Sequence, residues 1–186
     1  DFFMIHNEII LDMPYNSKKI SKLLEKIFNQ LCDCVYSQGR HTSMGKRASI
    51  IQYGELVNSK TFSSFLNSVG VKNKWFDSRM CIKTYGTLSN ARIKEFESEQ
   101  LINKYVPKLL HDHNLLITPG FICKDWKSGE NSLLKLDGSD ITAAKLADSL
   151  IANIITYFKD VYGVCGEDNP TPEHTSNIFR YIYLND

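Results

Sequence analysis

Leu136-Asp137-Gly138-Ser139-Asp140-Ile141-Thr142-Ala143-Ala144 reads as a loop closing onto the start of a helix. Gly138 permits backbone conformations that side chains forbid. Ser139 is a good N-cap, because its hydroxyl can accept a hydrogen bond from an unpaired N–H of the first turn. Asp140 then falls in the first turn, where its charge complements the positive end of the helix. Apolar side chains at helical spacing continue from Thr142 to Ile154. A helix start rimmed by a hydroxyl, a carboxylate and bare N–H groups suits a polar ligand. An ordinary capped helix carries the same features.

Working outward, Leu115-Leu116-Ile117 is a brief apolar run of the kind found in buried parallel strands. It enters Thr118-Pro119-Gly120-Phe121, a turn at the strand's C-terminal end. Cys123 to Lys135 is polar, contains Ser128-Gly129 and reads as a loop. Asn153 to Phe158 is β-branched and aromatic, which predicts a strand with Lys159-Asp160 at its end and Tyr162-Gly163-Val164 turning after it. Nearer the N-terminus, Ser17 opens a long helix whose inward stripe is Ile20, Leu23, Leu24, Ile27, Phe28, Leu31 and Val35. Lys18, Lys19, Lys22 and Lys26 form its solvated face, and Gly39 ends it.

Ala48 to Tyr53 fits either strand or helix. Val57 to Val69 reads as a helix, with Glu55 in or just before its first turn and Gly70 stopping it. Val71 to Phe76 and Met80 to Lys83 read as strands, Tyr85 to Asn90 as a polar link, Glu97 to Leu110 as a helix, and Asn177 to Leu184 as a further ordered element. Strands alternating with helices predict parallel β-α units. Ligands of such sheets lie beyond the C-terminal ends of the strands. The loops placed there carry Gly54-Glu55, Thr118-Pro119-Gly120, Gly138-Ser139-Asp140 and Lys159-Asp160.

Composition narrows the function classes. The 186 residues are 42% apolar, enough for one domain with a sizeable core. The net charge of +1 gives no electrostatic argument for nucleic acid or an anionic membrane. The apolar runs are too short to span a bilayer. Asp1-Phe2-Phe3-Met4 lacks the pattern of a signal peptide and an initiator methionine, so a processed or partial chain is expected. Five scattered cysteines argue against a disulfide framework and for a reducing, cytoplasmic setting. Cys32 and Cys34 point apart on a helix. His111 and His113 lack a third ligand at suitable spacing and read as loop histidines, so no metal site is expected.

Read in order, these segments resemble the aspartokinases of the amino-acid kinase superfamily. The resemblance rests on Gly54-Glu55-Leu56, Trp75-Phe76-Asp77-Ser78-Arg79, Asn90-Ala91-Arg92, Thr118-Pro119-Gly120-Phe121, Gly138-Ser139-Asp140-Ile141-Thr142-Ala143-Ala144, and Asp160-Val161-Tyr162-Gly163-Val164 with Asp168. It implies a three-layer α/β/α sandwich around a mainly parallel sheet, a single kinase domain over residues 1–186. It also implies transfer of the γ-phosphoryl of ATP, with Mg2+, to the side-chain carboxylate of L-aspartate, in a chain that self-associates. By the same resemblance Glu55 orients the amino group of the substrate. Ser139 and Asp140 hold substrate at the helix start, with Asp140 as the catalytic candidate. Lys159, Asp160, Gly163 and Asp168 face the nucleotide, and Thr118-Pro119-Gly120 shapes the floor between the subsites.

The sequence also departs from the family pattern. A Lys-Phe-Gly-Gly phosphate segment is expected to be lacking, as is any regulatory domain. Lys135-Leu136-Asp137-Gly138 stands for Gly-Arg-Gly-Gly, Lys159 for a threonine, and Asp168-Asn169-Pro170 for Asp-Pro-Arg. A lysine lacks the bidentate fork of an arginine. A buried carboxylate without its cation costs roughly 3–5 kcal/mol. The alternative expectation is therefore a catalytically impaired kinase-fold module that binds a small molecule or a partner protein.

Overall fold

A computed structural model describes residues 17–37, 44–88, 90–135 and 138–158. The chain divides into two compact units, Asp1–Ile155 and Thr156–Asp186. The first carries helices α1 (Ser17–Tyr36), α2 (Met44–Ser68), α3 (Glu95–Asp112) and α4 (Gly138–Ser149). Its strands are β1 (Lys74–Trp75), β2 (Lys83–Thr87), β3 (Asn90–Ile93), β4 (Leu116–Ile117), β5 (Ile122–Asp125) and β6 (Asn131–Leu133), with a 3-10 turn at Ser78–Met80. Of the second unit only residues 156–158 are described.

The first unit is an α/β assembly with mixed pairing. β1 and β4 form a parallel pair, with Lys74 opposite Leu116 and Trp75 opposite Ile117. A four-stranded sheet runs β3-β2-β5-β6. Its central β2–β5 pair is parallel, and its flanks are antiparallel. Side-chain alternation along the sheet separates two cores. Cys123 and Leu134 face a core with Ile82, Ile93, Ile102 and Val106, completed by Ile141 and Leu146 of α4. Ile122 and Leu133 face Ala48 and Leu56 of α2. Behind α2, Ile20, Leu24 and Ile27 of α1 pack on Val57. The sheet thus lies between α2, backed by α1, and α3 with α4.

Several elements differ from the sequence expectation. Met44–Ser68 is one helix of 25 residues that runs through Gly54, so Ala48–Tyr53 is helical and Glu55 is mid-helix. Cys123–Lys135 is a hairpin of β5 and β6. Its turn forms because the Asp125 carboxylate accepts from the N–H groups of Lys127 and Ser128, while Gly129 takes a φ of 69°. Tyr85–Asn90 belongs largely to the β2–β3 hairpin, not to a link. Met80 ends the 3-10 turn, and β2 starts only at Lys83. His111 lies in the last turn of α3. Asn153–Phe158 forms no strand. Phe28 and Val35, assigned to the inward stripe of α1, are 37% and 45% exposed. The four lysines of α1 are exposed as expected.

Gly70 does stop α2. It takes a φ of 88°, Val71 N–H donates to Leu66 O, and Gly70 N–H donates to Asn67 O. That pattern satisfies the carbonyls at a helix end. Gly39 lies outside the described residues, as do Asp1–Asn16 and Asn177–Leu184. Among the described residues no helix is long and apolar enough to cross a membrane.

Nothing lies within 4 Å of where a Cβ on Gly54 would sit. A glycine inside a helix costs about 0.5–1 kcal/mol relative to alanine. Gly54→Ala is therefore expected to stabilise the protein by about that amount in urea unfolding. A loss of stability would show that α2 breaks at this residue.

Candidate functional site

Glu55, Asn58, Ser59 and Phe62 are spaced so that α2 presents them on one face. That face meets the end of β4 and its following turn. Together they line an open pocket of about 490 Å3 whose other wall is Leu116, Ile117, Thr118, Pro119 and Gly120. Parallel pairing with β1 fixes where β4 ends. Ser59 fixes α2 against β1, since its hydroxyl donates to Glu55 O at 2.7 Å and accepts from Trp75 Nε1 at 3.0 Å. One turn before Glu55, Gln52 Oε1 accepts from Arg79, whose guanidinium also donates to Asp77 from Nε at 2.8 Å. The Trp75-to-Arg79 segment thus braces the helix that carries Glu55.

The turn after β4 is tightly built. A Cβ on Gly120 would lie 2.6 Å from Ser139 Cα and 2.8 Å from Ser139 Cβ. Only a glycine tolerates such an approach to backbone. Phe121 follows with a φ of 66°, a conformation costly for a bulky residue. It is held there on both sides. Its N–H donates to Thr142 Oγ1 at 3.2 Å, and its carbonyl accepts from Leu134 N–H at 3.0 Å. Thr142 Oγ1 in turn donates to Gly138 O at 2.8 Å, which ties the turn to the first turn of α4. Gly138 is needed for close packing. A Cβ there would meet Leu134 Cβ at 2.7 Å and the Phe121 ring at 2.8 Å.

The electrostatics of the pocket centre on Glu55. Burial pushes its carboxyl above the ordinary value of 4.5. The mid-helix position removes the dipole stabilisation expected from a first turn. A cationic group entering the pocket would reverse that desolvation penalty. Thr118 Oγ1 is buried without a hydrogen-bond partner among the described residues. Being buried, it is an unsatisfied polar group behind the pocket wall and not one presented to the cavity.

The structure sets Glu55 across the pocket from Thr118-Pro119-Gly120, and Gly120 against Ser139, from three distant parts of the chain. Ser139 is exposed inside the first turn of α4, which begins at Gly138, so it is not the N-cap. Asp140 follows it, half-buried. Neither lines the pocket itself, which ends at Gly120. Lys159, Asp160, Gly163 and Asp168 lie outside the described residues, as do Leu136 and Asp137. Asn58 and Ser59 were not singled out from the sequence, Thr142 was read only as part of the motif at the helix start, and Phe62, whose spacing suggests the apolar face of the helix, is exposed at the pocket. The spacing of Asn58, Ser59 and Phe62 from Glu55 signals a shared face once α2 is read through Gly54. Among the described residues no group of three or more His, Cys, Asp or Glu side chains is placed to hold a metal ion. Cys32, Cys81 and Cys123 are free thiols.

Comparisons with known proteins bear on the family and the fold. A model of the amino acid kinase family matches residues 7–185. Aspartokinase 1, chloroplastic, of Arabidopsis thaliana is 29% identical over 126 residues, 67% of this chain and 22% of the relative. Lysine-sensitive aspartokinase 3 of Escherichia coli is 29% identical over 154 residues, 80% of this chain and 33% of the relative. The structure of Escherichia coli aspartokinase III in complex with lysine and aspartate aligns with a TM-score of 0.76 at 26% identity, covering 84% of this chain and 35% of that one. The same enzyme in complex with aspartate and ADP aligns with a TM-score of 0.69 over 77% of this chain and 31% of that one. The chain spans about a fifth to a third of the length of these relatives.

Gly120→Ala should destabilise the protein by about 1–3 kcal/mol, the usual cost of overpacking. The new methyl meets Ser139 backbone, which cannot rotate away. Urea unfolding of the variant measures this. A neutral substitution would mean that the turn and the helix start are not in contact in solution.

Proposed function

This chain belongs to the amino acid kinase family as a divergent aspartokinase-like domain, and we propose that its Glu55 pocket holds the L-aspartate acceptor of an ATP-dependent phosphorylation. The supporting observation is the convergence of Glu55, Thr118-Pro119-Gly120 and the Ser139 helix start, three segments that meet only in the folded chain. Glu55 receives the substrate ammonium group, which compensates its own desolvation. Ser139, at the start of α4 where the helix dipole favours negative charge, is proposed to orient the acceptor carboxylate, with Asp140 beside it helping to hold the substrate. A carboxylate acceptor is already ionised near neutral pH, so the residues here position it and need not remove a proton.

MgATP, when bound, supplies the γ-phosphoryl group and neutralises its charge. Lys159, Asp160, Gly163 and Asp168 are the residues proposed to face it. Magnesium is assigned to no described residue. Self-association, a cytoplasmic location and a place in amino-acid biosynthesis belong to the same family reading.

One observation favours a second reading. Leu136 and Asp137 stand where the family motif carries an arginine and a glycine, so the bidentate fork for a substrate carboxylate is absent from the motif. In that reading the pocket still binds a small molecule, but phosphoryl transfer is impaired. The alternative with a partner protein in place of the small molecule has no such observation behind it.

Calorimetric titration with L-aspartate, in the parent and in Glu55→Gln, tests the pocket. The substitution is expected to weaken aspartate binding by about tenfold or more. Equal affinities would remove Glu55 from the site. Trapping of an acyl phosphate by hydroxylamine in the presence of MgATP separates the two readings: product supports the kinase, and aspartate binding without product supports the impaired module.

A pH series adds an independent check. A carboxyl with a raised folded pKa binds protons more tightly in the folded state, so its charge costs stability above that pKa and nothing below the unfolded value. Glu55→Gln should therefore raise Tm slightly at pH 7, on the order of 1 °C. The gain should vanish as the pH falls below 4.5, the ordinary value for glutamate. A lowered Tm at pH 7 would contradict the desolvated carboxylate.

A further inference from the structure

A second pocket, of about 440 Å3, shares no lining residue with the first. It lies where β1 and the segment after it meet the C-terminal half of α3. Trp75, Phe76, Met80, Tyr105 and Leu109 give it an apolar, partly aromatic lining. Met80 is 48% exposed, although it belongs to that apolar surface. The remaining lining residues are Lys74, Lys104, Lys108 and Asp77.

The charges are arranged unevenly. Asp77 is the one acidic residue of the lining, and its carboxylate is engaged by the Arg79 guanidinium. The three lysines are exposed, and none makes a salt bridge among the described residues. Lys104 Nζ lies 5.2 Å from the Tyr105 ring centroid, so its cation is already drawn toward the aromatic lining. Lysine stems add apolar surface while their ammonium groups stay available at the mouth. The volume falls in the range of small-molecule sites.

We propose that this pocket binds an amphiphilic aromatic anion: a flat apolar body seated on Trp75, Met80, Tyr105 and Leu109, with a carboxylate or sulfonate head paired to Lys104 and Lys108. An apolar lining under three cations that make no salt bridge among the described residues selects for that combination. A purely apolar ligand leaves the lysines without partners, and a small inorganic anion leaves the apolar surface wet. The site is independent of the acceptor pocket, and it stands whether or not the chain phosphorylates aspartate.

The probe is 8-anilinonaphthalene-1-sulfonate, titrated into the full 186-residue chain and followed by fluorescence. Neutral N-phenyl-1-naphthylamine serves as the uncharged comparison. The expected result is saturable one-to-one binding of the sulfonate, about tenfold or more tighter than the neutral probe. The double variant K104E/K108E, which changes only exposed side chains, should lose about tenfold or more in sulfonate affinity with an unchanged circular dichroism spectrum. Leu109→Trp, which fills the pocket, should exclude both probes. Excess L-aspartate should not displace the sulfonate. Undiminished affinity in the double variant, equal binding of the two probes, non-saturable binding, or displacement by L-aspartate would each overturn the proposal.

Discussion

Everything near the candidate site depends on one close approach, that of Gly120 to the backbone of Ser139. The loop after β4 presses against the first turn of α4 with no room for a side chain between them. Two further features maintain that contact. Phe121 is held in a left-handed conformation by Thr142 and Leu134, and Gly138 lets the helix start against Leu134 and the Phe121 ring. Strain at Phe121 and tight packing at two glycines cost stability locally. Their effect is a rigid corner that sets the turn after β4, one wall of the Glu55 pocket, against the start of α4.

The opposite wall of the site is rigid for a different reason. Glu55 sits in the middle of a long helix, not at its frayed end. That helix is backed by α1, pinned to β1 through Ser59 and Trp75, and braced by Arg79 through Gln52. Asp77 completes the brace. Burial pushes its carboxyl up, but the Arg79 hydrogen bonds and charge outweigh this and hold it below the usual aspartate range. A desolvated carboxylate is stable only when the structure around it supplies such support. The pocket therefore places a raised-pKa acid on a stiff element opposite a strained turn, an arrangement with more cost than packing alone requires.

The sequence made part of this legible. The apolar stripe of α1, the end of α2 at Gly70, the periodic pattern of α3 and the parallel strand at Leu116–Ile117 follow from period and punctuation. The hairpins did not. β5 and β6 are only four and three residues long, and Lys124, Asp125 and Asn131 give them a polar look although Cys123 and Leu133 are buried. β3 alternates in burial, but its exposed residues are Asn90 and Arg92 and its inward ones are Ala91 and Ile93, too few to register as a strand. Gly54 reads as a break, yet a helix packed on both α1 and the sheet absorbs the cost of one glycine. Asn153–Phe158 shows the converse: β-branched and aromatic composition alone makes no strand. For the site, strand-end loop placement and family resemblance both singled out Glu55, Thr118-Pro119-Gly120 and Ser139; the first two face each other across the pocket, and Ser139 abuts Gly120. Thr142 and the Asn58-Ser59-Phe62 face required the register of the folded helices.

The central claim is that the Glu55 face of α2, the turn after β4 and the start of α4 form one amino-acid site. The most direct measurement is a map of backbone amide shifts in the NMR spectrum as L-aspartate is added. The account predicts changes concentrated at Glu55 to Phe62, Leu116 to Phe121 and Gly138 to Thr142, moving together along one binding isotherm. Changes gathered instead at Lys74 to Asp77 and Lys104 to Leu109, with those three segments still, would contradict it.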